Sequence, residues 1–233
     1  MATDIKRVVK DLCPPIFWRA LVQMKRSAMV QNLRIPKEGQ DLDVYWDPKM
    51  AALLETWGEG NAWNEVQLLM AARKGRVLDI ACGTGKTIEI LSQYPALEVY
   101  GCDISDMLLQ KAVERGILPE RLKRTDATIM DYTDGQFDWG YSIGSLEHFT
   151  EDGIDKFLAE CHRVVSGTSF HMIPVSRSDQ NTGWIKTFQS YHNNSVAWWE
   201  TKCRAVYSHV HILDSVWSDE VSVGKWLICS KAE

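Results

Sequence analysis

At 233 residues, 45% of them hydrophobic, the chain is long enough for one α/β domain with a modest extension. A net charge of −5 and a pI near 5.7 argue against a broad nucleic-acid footprint, and no apolar run is long enough to cross a bilayer. Six scattered cysteines (Cys13, Cys82, Cys102, Cys161, Cys203, Cys229), none in a C-x-x-C pair, point to a reduced, cytoplasmic protein without a zinc site. The N-terminus lacks the uncharged core of a signal peptide.

Residues 1–34 form a basic, amphipathic extension. Seven Lys/Arg stand there against Asp4 and Asp11, a net of +5, which leaves −10 on the remainder. Pro14 and Pro15 break the chain and open a helix whose one face carries Ile16, Phe17, Ala20, Leu21, Met24 and Ala28. With Arg19, Lys25 and Arg26 around it, that face suits peripheral contact, through residues 1–30, with the anionic inner face of a membrane. The alternative is a cap helix packed on the protein's own domain or on a second subunit. Residues 35–74 follow as an N-terminal cap. It is turn-rich at Ile35–Gly39 and helix-like over Met50–Thr56, and Asn61 or Asn64 opens a second helix that runs to about Arg73.

The chain is organised around Val77-Leu78-Asp79-Ile80-Ala81-Cys82-Gly83-Thr84-Gly85-Lys86-Thr87, an apolar strand that ends in Gly-x-Gly and leads into a helix. Three ligands compete for such a turn. A P-loop needs a glycine where Ile80 stands, and a dinucleotide fingerprint needs a small residue where Ile88 stands. S-adenosylmethionine (SAM) has no phosphate and needs neither. An acidic residue about twenty positions on, Asp103, is placed for a ribose diol in SAM and NAD proteins alike.

The stretch Leu78–Gly85 resembles the first motif of class I SAM-dependent methyltransferases. The resemblance covers about residues 75–175 by motif and reaches 230 by topology. It implies a cofactor set of Asp79, Ala81, Cys82, Gly83, Thr84, Gly85, Asp103, Ile104, Met107, Asp126, Ala127, Ser142 and Ile143. Within that set Met107 lies near the adenine edge and Asp126 accepts from the adenine amine. Read without the resemblance, Met107 is a core residue and Asp126 a turn residue. The cap segment roofs the pocket in this family, which makes Tyr45, Trp57 and Trp63 candidates to touch cofactor or acceptor, each also readable as core packing.

Along the rest of the chain the patterns predict a helix to about Gln93, a strand at Leu97–Gly101 and a short third strand with its turn over Arg121–Thr128. Between those two strands lies a helix over Met107–Arg115, capped by Ser105 or Asp106. A fourth strand, Phe137–Gly144, meets the cofactor's methyl end at its C-terminal edge by the same resemblance. Ser145-Leu146-Glu147-His148-Phe149 follows it. The Asn/Asp-Pro-Pro-aromatic motif of enzymes that methylate nucleic-acid bases is absent there. The stretch is similar instead to small-molecule enzymes, quinone-biosynthesis O-methyltransferases among them. Those carry a further Glu where this chain has Gly144, so no metal is expected. His148 is the candidate general base, with Glu147 beside it; the alternative is a pocket-lining His hydrogen-bonded to Glu147.

A helix over Gly153–Cys161 and a strand over Gly167–Val175 come next. Ser176–Asn193 then reads as a polar, aromatic-bearing insertion on the acceptor side. In it Arg177, Trp184, Tyr191 and His192 are candidates for a sugar or another ring-bearing polar ligand, or else belong to an exposed loop with structural tryptophans. Asn194 is expected to cap a last helix, Ser195–Val206, and strands Val210–Asp214 and Val221–Ser230 to close the sheet as a hairpin.

The expectation is therefore an α/β, Rossmann-like protein with a seven-stranded, mostly parallel sheet, an antiparallel last strand and helices on both faces. It has an N-terminal helical extension, residues 1–34, and a methyltransferase domain over residues 35–233. Its expected activity is methyl transfer from SAM to a hydroxyl of a small-molecule or glycan-like acceptor, with an amine as the nearest alternative. The basic helix and Trp-rich insertion are also similar to methyltransferases of bacterial surface-polysaccharide pathways. A non-catalytic SAM-binding protein and an NAD-dependent oxidoreductase are the rival classes, the latter opposed by Ile88.

Overall fold

A computed structural model describes residues 39–187 and 189–232; the basic extension of residues 1–34 and its expected membrane contact lie outside them. Among the described residues no helix is long and apolar enough to cross a membrane.

The chain enters through a 3-10 turn, Leu42–Trp46, and helices α1 (Pro48–Leu54) and α2 (Ala62–Met70). Pro48 sits at the start of α1, where its missing N–H costs nothing, and the Asp47 side chain caps that helix at Lys49. Asn61, rather than Asn64, caps α2. Then follow β1 (Gly75–Ile80), α3 (Lys86–Leu91), β2 (Leu97–Asp103), α4 (Asp106–Glu114), β3 (Leu122–Arg124) and β4 (Phe137–Ile143). The second half runs through α5 (Glu151–Val164), β5 (Val165–Ser176), β6 (Trp184–Lys186), β7 (Ser190–His192), α6 (Val196–Arg204), β8 (His209–Ser218) and β9 (Ser222–Ser230).

Seven strands form one sheet in the order β3-β2-β1-β4-β5-β9-β8. The pairs from β3 to β5 are parallel, and β9 lies antiparallel between β5 and β8. The expected mostly parallel sheet with an antiparallel last strand is what forms. The last strand is inserted inside the sheet, however, and leaves β8 at the edge. Successive strand residues face opposite ways, so Leu78, Ile80, Leu227 and Cys229 pack under α5 and α6 while Val77 and Trp226 pack under α2, α3 and α4. This is a Rossmann-like α/β fold, with helices on both faces of the sheet.

Two details depart from the sequence expectation. Ser195 caps α6 through Trp198, because Asn194 is drawn away to accept the Gly183 N–H at 2.8 Å. The polar stretch 176–193 is only partly an exposed loop: residues 177–181 are exposed, while the rest folds into the β6–β7 hairpin, whose paired backbone lets Trp184, Ile185 and Ser190–His192 be buried.

Candidate functional site

A cleft of about 1130 Å³, open solvent at its mouth included, lies at the C-terminal edge of β1, β2 and β4 beneath the segment 40–57. Its floor is the turn after β1. Ala81, Gly83 and Gly85 all have left-handed backbone there, with φ of 60°, 55° and 72°, and this curls the chain tightly enough to present its peptide groups. A Cβ on Gly85 would lie 2.4 Å from Ile117 and 2.9 Å from Ala112. The glycine thus lets α3 and α4 close against the turn.

Two buried acids hold this floor. Asp103 ends β2 and accepts the N–H of Gly83 and of Ser105, each at 2.9 Å, tying the β1 turn to the start of α4. Burial raises its affinity for a proton, and those N–H groups partly offset the effect. Asp79 accepts from the Thr87 hydroxyl and is pushed up by burial to about 7. Asp126 spends one oxygen on its own turn, bonding the N–H and hydroxyl of Thr128 at 2.8 Å. It nevertheless lines the cleft, so the turn and cleft readings hold together.

The roof is pinned at several points. The Trp46 indole donates to Asp106 at 2.7 Å, the Ser105 hydroxyl donates to the Tyr45 carbonyl at 2.6 Å, and Glu55 pairs with Arg115. Arg115 also reaches the Thr84 carbonyl at 3.0 Å. Tyr45, Trp57 and Trp63 all face the cleft. Trp57 rests against Gly144, whose φ of 61° and missing side chain leave the space it fills.

His148 closes one wall. Its Nδ1–H donates to the Ser190 carbonyl at 2.8 Å, which leaves the lone pair on Nε2. Burial pushes the imidazole down to about 4, so it is neutral at physiological pH. Glu147 is buried behind it, 3.6 Å from Nε2, with one carboxyl oxygen unpartnered and the group pushed up to about 8. At 3.6 Å the two are not hydrogen-bonded.

Of the cofactor candidates, Asp79, Ala81, Cys82, Gly83, Thr84, Asp103, Ile104, Asp126, Ala127 and Ile143 border the cleft. Gly85, Met107 and Ser142 do not. Gly85 packs toward α4, and Leu108 takes the position expected of Met107 because α4 turns that face inward. Ser142 points into the core, where it bonds His171 at 2.9 Å.

Four candidates on the acceptor side lie elsewhere. Arg177 anchors the β8–β9 turn through the carbonyls of Asp219 and Ser222. Trp184 and His192 form an aromatic cluster with Trp198 on α6. Tyr191 packs its ring edge on His148, 6.1 Å between centroids. The insertion reaches the cleft through Gln189 instead, beside the Tyr45 hydroxyl. Gln189, Ser145 and Gly144 were not singled out from sequence. The last two simply continue β4 past Ile143, and that continuation was the available signal.

Residues 77–167 match the family model described as a methyltransferase domain. A probable tRNA methyltransferase 9B from mouse is 29% identical over 156 residues, covering 66% of this chain and 33% of that protein; the chain spans about a third of its length. The structure of 1,6-didemethyltoxoflavin-N1-methyltransferase from Burkholderia thailandensis, solved with its substrate and S-adenosylhomocysteine, superposes with a TM-score of 0.61 at 19% identity. That match covers 95% of this chain and 92% of that one. Phosphoethanolamine N-methyltransferase 2 from Haemonchus contortus, solved with phosphomonomethylethanolamine and S-adenosylhomocysteine, gives 0.58 at 15% identity, covering 72% and 53%. Residues 77–167 are thus similar to a methyltransferase domain, and the fold is shared with enzymes solved with S-adenosylhomocysteine. The site suits the SAM that the sequence resemblance implies. The close-packed glycine turn and Asp103 offer peptide groups and a carboxylate, while the cations beside the turn are engaged by acids, Lys86 with Glu89 at 2.9 Å and Arg115 with Glu55 and Glu89, and are not held ready for phosphate.

Proposed function

We propose that this protein is a SAM-dependent methyltransferase acting on a hydroxyl of a small polar or glycan-like acceptor, with His148 accepting the proton. The observation that carries the acceptor chemistry is the His148 ring. It is neutral, it lies on the cleft wall, and its Nδ1–H is already engaged by the Ser190 carbonyl.

SAM supplies a methyl group on a sulfonium, transferred by in-line displacement as the acceptor oxygen forms its bond to carbon and the carbon–sulfur bond breaks. Asp103, Asp126 and the peptide groups of the β1 turn would hold the nucleoside end. Tyr45, Trp57 and the roof exclude water and orient the acceptor, which supplies much of the acceleration. His148 Nε2 takes the hydroxyl proton, an assistance of about 10²–10⁴-fold. The weak hold of a buried imidazole on that proton lets it pass on to solvent.

The test is a mass-spectrometric screen of the SAM-loaded protein against glycans, quinols and amines, followed by His148→Ala on the substrate found. A fall in kcat of a hundredfold or more is expected. A fall of less than about tenfold removes His148 as the base.

An amine acceptor is the second reading. It is favoured by the two solved relatives named as N-methyltransferases and by the acids that line the cleft. A neutral amine attacks before losing its proton, so that reading expects little loss in His148→Ala. A nucleic-acid acceptor is not part of the proposal, because residues 35–233 carry a net of −10 and would repel a polyanion. A cytoplasmic setting is part of the proposal, supported by scattered cysteines with no C-x-x-C pair.

A further inference from the structure

Asp41 stands at the start of the roof, 149 positions before its partner in the β6–β7 hairpin. Its Oδ2 accepts the Ser190 N–H at 2.8 Å, and its Oδ1 pairs with the Lys186 ammonium at 3.1 Å. Ser190 is held from its other side as well, its carbonyl accepting the His148 Nδ1–H at 2.8 Å. Gln189, next to it, borders the cleft.

A hairpin of two three-residue strands has too few ladder bonds to fix its own position. Its body is packed by Trp184 and His192 against Trp198 and by Ile185 and Tyr191 against Val221, and at its tip Ser190 is tied to the roof by Asp41. The Lys186–Asp41 pair is half exposed and screened by solvent, so it adds little. The bond from the Ser190 N–H to a carboxylate is charge-assisted and directional. If Ser190 moved away, the His148 ring would lose the acceptor that keeps its proton on Nδ1, and the tautomer with the proton on Nε2 would compete.

We propose that Asp41 is a positioning residue for His148: by holding the Ser190 N–H it seats the hairpin so that the Ser190 carbonyl fixes the imidazole with its lone pair on Nε2. This rests on the reading of His148 as the base. Asp41, Tyr45, Glu147 and Tyr191 are the ionisable groups around the ring. Asp41 is the one whose charge favours the imidazolium that proton transfer creates.

The experiment uses the full chain labelled with ¹⁵N-histidine. Long-range proton–nitrogen spectra assign the His148 tautomer, with His148→Gln identifying its signals. The wild type is expected to show the Nδ1–H form. Asp41→Ala is expected to lose it and to lower kcat about tenfold, with SAM affinity and acceptor KM changed less than about twofold, since Asp41 acts through the ring and not on either ligand. Asp41→Asn, whose amide oxygen can still accept the Ser190 N–H, is expected to keep the tautomer, and it stands in if the alanine variant does not fold. Lys186→Ala is expected to change neither property. An unaltered tautomer in Asp41→Ala overturns the proposal, as does a Lys186→Ala variant that behaves the same way. A tautomer change in Asp41→Ala, in a protein that methylates nothing in the screen, supports the positioning while it removes the proposed reaction.

Discussion

Glu147→Gln should reverse the effect of pH on stability at one buried site. Glu147 lies on the 3-10 turn after β4, 3% exposed, with an unpartnered carboxyl oxygen, and burial pushes it from an ordinary 4.5 up to about 8. Between those values the unfolded chain releases the proton and the folded chain keeps it. A raised carboxyl contributes stability that is fully present below the unfolded value and lost as pH rises through the folded one. The slope is about 1.4 kcal/mol per pH unit, and the loss reaches about 4 kcal/mol near pH 8. Glutamine is nearly isosteric and carries no such slope, but its amide brings buried donors at a pH-independent cost of about 1–3 kcal/mol.

The variant should therefore be slightly less stable than the wild type near pH 5 and about 2 kcal/mol more stable near pH 8, to order of magnitude. Urea unfolding followed by tryptophan fluorescence, without SAM, at intervals across that range measures the difference. Asp79, pushed up to about 7, and Asp103 titrate in both proteins and cancel. A stability difference that stays constant with pH would show that the carboxyl is not held protonated, and the reasoning would fail.

Asp103→Asn should weaken SAM binding about 10–100-fold by calorimetry, because it replaces the carboxylate that organises the β1 turn and faces the cleft. Unchanged affinity would remove Asp103 from the cofactor set. Gly85→Ala should lower the unfolding free energy by roughly 1–3 kcal/mol, since it combines a φ of 72° with a Cβ 2.4 Å from Ile117; thermal melts will show it. Trp184→Ala should destabilise by about 3–5 kcal/mol while the SAM affinity of the folded fraction stays the same. A selective rise in acceptor KM without loss of stability would return Trp184 to the acceptor site.

The fold was legible in sequence because its central strands are largely buried on both faces and announce themselves as short apolar runs bounded by turns. Asp79, Asp103 and Asp126 were legible for a related reason: they lie within, at the end of and just after successive strands, at the sheet edge where open α/β sheets gather their ligands. Met107 and Ser142 were misplaced by a single position or a single face. A motif fixes the element, but packing fixes which side of it turns inward. For α4 the inward side carries Leu108, and for β4 Ser142 looks away from the cleft.

The insertion was the larger miss. Composition offered 176–193 as an acceptor-side insertion or as an exposed loop with structural tryptophans, since its side chains are polar and its aromatics isolated along the chain. Self-pairing of β6 with β7 satisfied its backbone, after which Trp184 and His192 could pack on Trp198. Sequence alone thus determined the sheet, the glycine turn and the acids that line the cleft, all local consequences of hydrophobic pattern and backbone geometry. The surroundings of His148 were decided by tertiary structure alone. They join a roof residue, Asp41, to a hairpin residue, Ser190, and to the turn after β4, and contacts between segments so far apart in the chain leave no periodicity in it.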